Sequence, residues 1–256
     1  MNTEFKVVIP ARYASSRFPG KPLIDLAGKP MIQHVYEQTL KSAAQQVVIA
    51  TDDQRIAQVA EQFGATVCMT RDDHDSGTDR IAEVCQTMNW SDETIVVNVQ
   101  GDEPLIPPEN INQVARNLAM NSNCSMSTLA EPIDELAQVM NPNCVKAVFD
   151  ESGKALYFSR APIPYFRDGF PQSLPERAQQ PPSYYRHIGI YGYRVSLLKA
   201  FVTWSPSTLE QIESLEQLRV MSHGHGIHIA PAAQNTPPGV DTPDDVAAVL
   251  AALETA

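Results

Sequence analysis

The chain has 256 residues, 43% of them hydrophobic and 19% charged, so it is large enough and apolar enough to bury a full core. Its formal net charge of −11 argues against the broad basic face that nucleic-acid binding requires. We therefore expect no nucleic-acid partner, and we expect any bound polyanion to be small and held by a few local cations. No apolar run approaches the roughly 20 residues of a membrane-spanning helix, so no membrane partner is expected.

The N-terminal residues and the cysteines both indicate a cytoplasmic protein. Residues 1–6 lack the basic and apolar regions of a signal peptide. The four cysteines are far apart and form no C-x-x-C pair, which argues against a zinc site or a redox dithiol. Buried reduced thiols are the expectation.

The first half of the chain alternates short apolar runs with amphipathic helical periodicity. Strands are predicted at 6–10, 47–51, 65–69 and 95–99. Helices are predicted at 31–41, from Ile56 to Phe63, from Ile81 to Met88 and from Ile111 to Leu118. Strands that are apolar throughout are buried on both faces, which predicts an α/β fold, a mostly parallel sheet with helices on both faces. Ligands of such sheets bind outside the carboxyl ends of the strands, here in the loops beginning at Ala11, Asp52, Thr70 and Gln100.

The pattern changes from about residue 131. Segments 145–149 and 155–159 are predicted as short strands of a second, antiparallel element, and 160–187 carries six prolines and reads as an exposed arm. A strand at 188–193, helical runs near 195–203 and 209–222, and a final helix carrying Val246 to Leu253 follow. We predict a single domain over 1–256 that contains a smaller insertion at 131–187.

The loop after the first strand, residues 11–22, concentrates Arg12, Arg17 and Lys21 in a chain with only 19 Lys and Arg residues. Guanidinium forks, an ammonium and free backbone N–H groups in one concave loop are what a nucleoside triphosphate needs. The loop is not a Walker motif, because Pro22 follows Lys21, and no G-x-G-x-x-G follows a strand. We predict that it grips a triphosphate.

Two aspartates are candidate magnesium ligands. Asp102 follows Gly101 at the end of the fourth strand, where a carboxylate can hold an ion that keeps most of its shell as water and phosphate oxygen. Asp241 precedes the last helix. There it could be a companion ligand or simply the residue that caps the helix, and the sequence leaves both interpretations open.

Two groups of polar residues in the second half suit a sugar. His187 and Tyr191 share one face of the predicted strand across Gly189, and the isoleucines between them point the other way. Glu213 and Glu216 lie on one helix face by their i, i+3 spacing, although for Glu213 a merely solvated face is an open alternative.

The motifs together resemble a known family. Residues 11–23 are similar to the first loop of the CMP–sugar-acid synthetases. Seven further motifs, spread over nearly the whole chain, resemble in order those of the 3-deoxy-manno-octulosonate cytidylyltransferase family: Thr51-Asp52-Asp53, Ser76-Gly77-Thr78-Asp79-Arg80, Val99 to Pro104, Tyr157-Phe158-Ser159-Arg160, Arg186-His187-x-Gly189-x-Tyr191, Glu213-x-Leu215-Glu216-Gln217-Leu218-Arg219 and Val240-Asp241-Thr242-Pro243.

The resemblance implies a nucleotide-diphospho-sugar transferase-like fold and transfer of CMP from CTP to the anomeric 2-hydroxyl of 3-deoxy-D-manno-octulosonate (Kdo), with release of pyrophosphate. It implies catalytic roles for Arg12, Lys21 and Asp102, nucleotide contacts from Arg12, Arg17, Lys21 and Gln100, and Mg²⁺ ligation by Asp102 and Asp241. The sugar-acid contacts that it implies are Gln100, Arg160, His187, Tyr191, Glu216 and Gln217. It further implies a homodimer through 131–187, in the cytoplasm of a lipopolysaccharide-making bacterium.

Other interpretations remain open from the residues alone. A metal-dependent glycosyltransferase would need a D-x-D motif, but Asp52 and Asp53 are adjacent, and Gln100 stands two positions before Asp102. A non-catalytic nucleotide sensor would have no need for the two aspartates and the sugar-binding set together. Within the favoured class, the sugar acid could instead be sialic acid or 8-amino-Kdo.

Overall fold

A computed structural model describes residues 3–14, 18–74, 76–171, 184–237 and 239–253. The strands are β1 Lys6–Ala11, β2 Asp25–Leu26, β3 Lys29–Pro30, β4 Gln46–Thr51, β5 Thr66–Met69, β6 Ile95–Asn98, β7 Met126–Pro132, β8 Lys146–Phe149, β9 Ala155–Ser159, β10 Tyr185–Arg194 and β11 Ile227–Pro231. The α-helices are α1 Met31–Leu40, α2 Gln54–Gln62, α3 Gly77–Thr87, α4 Pro108–Met120, α5 Leu136–Met140, α6 Val195–Phe201, α7 Thr208–Glu213, α8 Gln217–Ser222 and α9 Asp245–Leu253. None of these helices has the length and apolar character that crossing a bilayer requires.

One mixed sheet organises the chain, with the strand order β11-β7-β10-β6-β1-β4-β5. The pairs β6–β1, β1–β4, β4–β5 and β11–β7 are parallel, whereas β10 runs antiparallel to both of its neighbours, β6 and β7. The four strands of the first half therefore end at the same edge of the sheet, as the sequence predicts. The expected α/β class is confirmed.

Two apolar clusters cover the two faces of the sheet because side chains alternate along each strand. Val8, Val48 and Val96 pack on one face with side chains of α3, α6 and α8. Val7, Ile49 and Val97 pack on the other with side chains of α1, α2 and α4. The layering is that of a sheet with helices on both sides.

The second half contains one strand that the sequence did not predict and one element that is more integrated than expected. The unpredicted strand, β7, is buried along nearly its whole length and pairs with β10. The strands β8 and β9 form the expected antiparallel hairpin, but this hairpin continues the main sheet through the pairing of Arg186 with Lys146. Residues 172–183 of the predicted arm lie outside the described residues.

The predicted continuous helix over 209–222 is wrong. Helix α7 ends at Glu213, Ser214 adopts a left-handed conformation with φ 51°, and α8 begins only at Gln217. A residue in that conformation cannot continue a right-handed helix. Glu213 and Glu216 therefore do not share a helix face, and each carboxylate has its own surroundings.

A small third cluster fastens the end of the chain to its beginning. Val240 and Val249 of the C-terminal segment pack against Leu26 and Met31, at the β2–β3 hairpin and the start of α1. This contact brings the segment before α9 to the edge where β1 and β6 end.

Candidate active site

The loop after β1 turns back on itself at Gly20. Its backbone has φ 74°, its N–H donates to the Tyr13 carbonyl at 2.9 Å, and a Cβ there would lie 3.2 Å from the Tyr13 ring. A residue with a side chain would therefore be strained at this position. Arg12 is exposed at the start of the loop, and Lys21 begins a short 3₁₀ turn at its end. Ser15, Ser16 and the predicted triphosphate contact Arg17 lie outside the described residues.

Lys21 faces the two predicted metal ligands. Its Nζ donates to Asp102 Oδ2 at 2.5 Å and lies 3.7 Å from Asp241 Oδ1. Gly101 lets Asp102 reach this position, because a Cβ at residue 101 would lie 2.7 Å from the carbonyl oxygen of Pro10. The structure thus brings together a cation and two carboxylates that are remote in sequence.

Helix α9 begins four residues after Asp241. Asp245, its first residue, holds the segment before it, because its carboxylate accepts from the N–H groups of Asp241 at 2.9 Å and Thr242 at 2.7 Å. The Val240 N–H donates to the Asp102 carbonyl at 2.9 Å, which ties the two aspartate-bearing segments together. Asp241 thus lies at the same edge as Asp102, and its role as a metal ligand stays a prediction.

The donor set suits a hard divalent cation. Next to Asp102, the Oε2 atom of Glu103 is buried without a hydrogen-bond partner among the described residues. Desolvation, and then the charge of Asp102, raises the pKa of Glu103 to about 8. A carboxyl with that pKa is largely protonated at neutral pH, so Glu103 adds little negative charge beside Asp102. The described residues offer no cluster of three or more ligating side chains, but Mg²⁺ commonly uses only one or two carboxylates together with water and phosphate oxygens.

A group of polar side chains lies along one face of β10, and this group is called the polar pocket. The His187 and Tyr191 rings are neighbours, with centroids 5.3 Å apart, as the strand periodicity predicts. His187 Nε2 is hydrogen-bonded to the Thr128 hydroxyl at 2.9 Å, and burial lowers the pKa of His187 to about 3, so its ring is neutral. The Tyr191 hydroxyl donates to Gln217 Oε1 at 3.3 Å. Gln100 Nε2 lies 3.4 Å from the Gly189 carbonyl, so Gln100 links this pocket to the loop that carries Asp102.

Glu216 enters the same pocket from the start of α8. Its Oε2 accepts a hydrogen bond from Thr78 Oγ1 at 2.7 Å. Burial raises the pKa of Glu216, an effect opposed by the hydroxyls of Ser76 and Thr78.

Arg160 supports the chain near Glu216. Its Nε donates to the Glu213 carbonyl at 2.6 Å and its Nη2 to the Ser214 carbonyl at 3.4 Å, so it braces the break between α7 and α8. The Glu213 carboxylate accepts from Ser159 Oγ at 2.6 Å and from the Arg160 N–H at 2.9 Å. The guanidinium of Arg160, a predicted sugar-acid contact, thus donates mainly to backbone carbonyls.

Two threonines of the site were not singled out from the sequence. Thr78 stands in a quoted motif, but nothing local marks it as the partner of Glu216. Thr128 Oγ1 donates to the carbonyl of Ile190 at 2.8 Å or of Ile188 at 3.0 Å, where the β7–β10 register is irregular. It lies on the unpredicted β7, so no pattern could have pointed to it.

A cation-bearing loop that meets two carboxylates at the carboxyl edge of a largely parallel sheet is the arrangement expected of a nucleotidyltransferase, the class to which this protein belongs. The family model described as cytidylyltransferase matches residues 6–227 of the chain.

Close relatives make the assignment specific. The chain is 59% identical over 252 residues to a 3-deoxy-manno-octulosonate cytidylyltransferase of Cellvibrio japonicus, with 98% of each chain covered. It is 57% identical over 254 residues to the protein of the same name from Pseudomonas syringae pv. tomato, covering 99% of this chain and 100% of the relative. The chain belongs to the 3-deoxy-manno-octulosonate cytidylyltransferase family.

Solved structures agree. A CMP:2-keto-3-deoxy-manno-octonic acid synthetase complexed with CTP superposes with a TM-score of 0.88 at 43% identity, covering 98% of this chain and 99% of the other. A cytidylyltransferase from Leptospira borgpetersenii, 14% identical, superposes with a TM-score of 0.63 and covers 98% of this chain and 87% of the other, which shows the shared fold alone.

Proposed function

We propose that the protein transfers CMP from CTP to the anomeric 2-hydroxyl of Kdo and releases pyrophosphate. The family and the CTP complex of a 43% identical relative support this. The observation that carries the proposal is the placement of Lys21 between Asp102 and Asp241, on the sheet edge that continues through Gln100 into the polar pocket. Nucleotide and sugar acid would meet where these two parts join.

The loop after β1 would bind the triphosphate. Arg12 is exposed and able to form a guanidinium fork on phosphate oxygens, and Arg17 belongs to the same loop. The Lys21 ammonium, which donates to Asp102 in this structure, would instead donate to the β- and γ-phosphates when CTP is bound. These cations would stabilise the charge that develops on the departing pyrophosphate.

Asp102 and Asp241 are the residues that would hold Mg²⁺. When bound, the ion would polarise phosphate oxygens and acidify the attacking hydroxyl. Phosphoryl-type transfer needs mainly positioning and charge neutralisation from the protein, so we propose direct in-line attack without an enzyme-bound intermediate. No side chain of the described site is assigned as general base.

The sugar acid would occupy the pocket of Gln100, His187, Tyr191, Glu216 and Gln217, with Arg160 at its margin. A neutral His187 hydrogen-bonded to Thr128 and a Tyr191 hydroxyl bonded to Gln217 are fixed polar groups suited to sugar hydroxyls. These contacts choose the ulosonic acid, whereas the first loop only holds the nucleotide.

Pyrophosphate release with CTP, Mg²⁺ and a panel of acids tests the proposal. Kdo should be the preferred acceptor over sialic acid and 8-amino-Kdo, and CTP should be preferred over UTP and ATP. Asp102→Asn should lower turnover at least about 100-fold while the protein stays folded. Near-normal turnover of Asp102→Asn with CTP bound would contradict the metal assignment, and preference for another acid would redirect the substrate.

We also propose a homodimer that forms through residues 131–187, in the cytoplasm. Leu156 on the edge strand β9 is 58% exposed and Tyr165 is 67% exposed, although both are large apolar side chains. Such residues suit a subunit contact. Light scattering should give twice the chain mass, and Leu156→Glu should shift it toward the monomer. A parent protein that is monomeric at micromolar concentration would contradict this proposal.

A further inference from the structure

Thr78 joins the two halves of the site. It is the second residue of α3, in the nucleotide half, and it donates at 2.7 Å to Glu216, which precedes α8 in the sugar half. The Thr78 side chain is fully enclosed, with 2% of the residue exposed. A hydrogen bond to a carboxylate in such surroundings is among the stronger polar contacts of a protein.

Two hydroxyls of the described chain lie within hydrogen-bonding reach of the Glu216 carboxylate, those of Ser76 and Thr78. The Ser76 hydroxyl donates to Asp79 Oδ2 at 2.9 Å in the capping box of α3, whereas the Thr78 hydroxyl donates to Glu216 Oε2 at 2.7 Å. Behind Thr78, the Tyr193 hydroxyl lies within hydrogen-bonding reach of the Thr78 hydroxyl and of Asn98. Thr78 is thus itself held in place by β10 and β6.

The other oxygen of the Glu216 carboxylate is differently situated. Oε1 is buried and has no hydrogen-bond partner among the described residues, and the same holds for Nε2 of the neighbouring Gln217. Buried polar atoms of native proteins are nearly always paired, so an unpaired acceptor and an unpaired donor on two consecutive residues indicate a place that a polar ligand fills. Tyr191, bonded to Gln217, borders this place.

We infer that Thr78 is a positioning residue for the sugar acid: it fixes Oε2 of Glu216, so that Oε1 faces a hydroxyl of the substrate. The inference rests on the proposed function. Arg160 braces the backbone before Glu216 at Glu213 and Ser214, but these bonds do not hold the Glu216 carboxylate, and α8 has no side-chain cap. Helix α3, by contrast, is anchored by its capping box and by the buried ion pair of Arg80 with Asp52 at 2.8 Å. The hydrogen bond from Thr78 therefore ties the Glu216 carboxylate to a well-anchored helix.

The test compares Thr78→Val, which keeps the shape and removes the hydroxyl, with Thr78→Ser, which keeps the hydroxyl. We expect Thr78→Val to raise KM for Kdo about 10- to 100-fold, the loss expected for a buried hydrogen bond to a charged group. KM for CTP should stay within twofold, and Thr78→Ser should restore most of the affinity for Kdo. If the valine variant does not fold, Thr78→Ala, which adds no bulk, takes the same measurements.

Three results would overturn the inference: a KM for Kdo within threefold of the parent value, an equal rise of both KM values, or a serine variant as impaired as the valine variant. Failure of the proposed function would give a different result, seen already in the unsubstituted protein. That protein would release no pyrophosphate with CTP and Kdo, and the role of Thr78 in binding Kdo would be excluded with it.

Discussion

Gly101 offers a sharp test of how the active-site loop is built. In Gly101→Ala the added Cβ would lie 2.7 Å from the Pro10 carbonyl oxygen, well inside the 3.4 Å at which ordinary contact begins. Pro10 cannot retreat, because it belongs to β1, which is hydrogen-bonded between β4 and β6. The loop that carries Asp102 has to move instead.

The size of the effect follows from that clash. Overpacking against a rigid backbone lowers the free energy of unfolding by about 1–3 kcal/mol, which for a chain of this length corresponds to a Tm about 2–10 °C lower. Because Asp102 follows directly, its carboxylate shifts relative to Lys21. A misplacement of this kind at a reacting centre should lower kcat by about 10- to 100-fold.

Thermal unfolding followed by circular dichroism and pyrophosphate release measure the two effects. Gly77→Ala is the matched stability control: it lies at the start of α3, and its Cβ would approach Pro10 no closer than 4.0 Å. Its Tm should stay at or slightly above that of the parent protein. If Gly101→Ala unfolds at the parent temperature and turns over normally, the close approach to Pro10 does not determine the position of Asp102.

Three further predictions concern His187, the Arg219–Glu210 ion pair and Asp245. The pKa of His187 is about 3 in the folded protein and about 6.5 in the unfolded chain, so protonation of the unfolded chain lowers the free energy of unfolding as pH falls below 6.5. Urea unfolding at pH 7 and pH 5 should show a loss of up to about 2 kcal/mol in the parent protein that is absent in His187→Gln. Equal losses in both proteins would contradict the burial of His187. Arg219 and Glu210 form a buried ion pair with two short bonds of 2.6 and 2.8 Å. Arg219→Leu alone should lower the free energy of unfolding by about 3–5 kcal/mol, and the double variant that also carries Glu210→Leu should recover much of this loss. If chemical denaturation shows that the losses of the two single variants add up in the double variant, the two side chains are not directly coupled. Asp245→Ala removes the acceptor that holds the backbone of Asp241. The Mg²⁺ concentration for half-maximal activity should rise about 10-fold, and the Tm should fall by no more than about 4 °C. An unchanged Mg²⁺ titration would show that Asp241 needs no such support.

The first half of the fold could be predicted because local pattern and long-range structure agree there. Runs such as 47–51 are apolar on both faces, and only a covered parallel sheet buries them. That architecture places Lys21 and Asp102 at one edge although 81 positions separate them. The meeting of these two side chains therefore follows from a rule about sheets rather than from any local signal.

The parts that could not be predicted lack such agreement. Ser127 and Thr128 interrupt the apolar character of β7, and their polar side chains are satisfied by contacts from other elements, which a local pattern does not contain. The break at Ser214 is hidden because the apolar spacing of α7 continues into α8, while φ and ψ of this single residue both reverse sign. The bond between Thr78 and Glu216 depends on that break, so it is visible only in three dimensions.

The packing of Val240 and Val249 against Leu26 and Met31 has a consequence for the timing of activity during synthesis. The triphosphate loop and Asp102 are made early, and their strands have parallel partners within the first hundred residues. Asp241 is synthesised well after Asp102 and reaches Lys21 only when the segment that carries it docks. A nascent or prematurely terminated chain can therefore carry a formed nucleotide edge without its second carboxylate. We expect such chains to leave CTP unconsumed, because docking of this segment completes the active site.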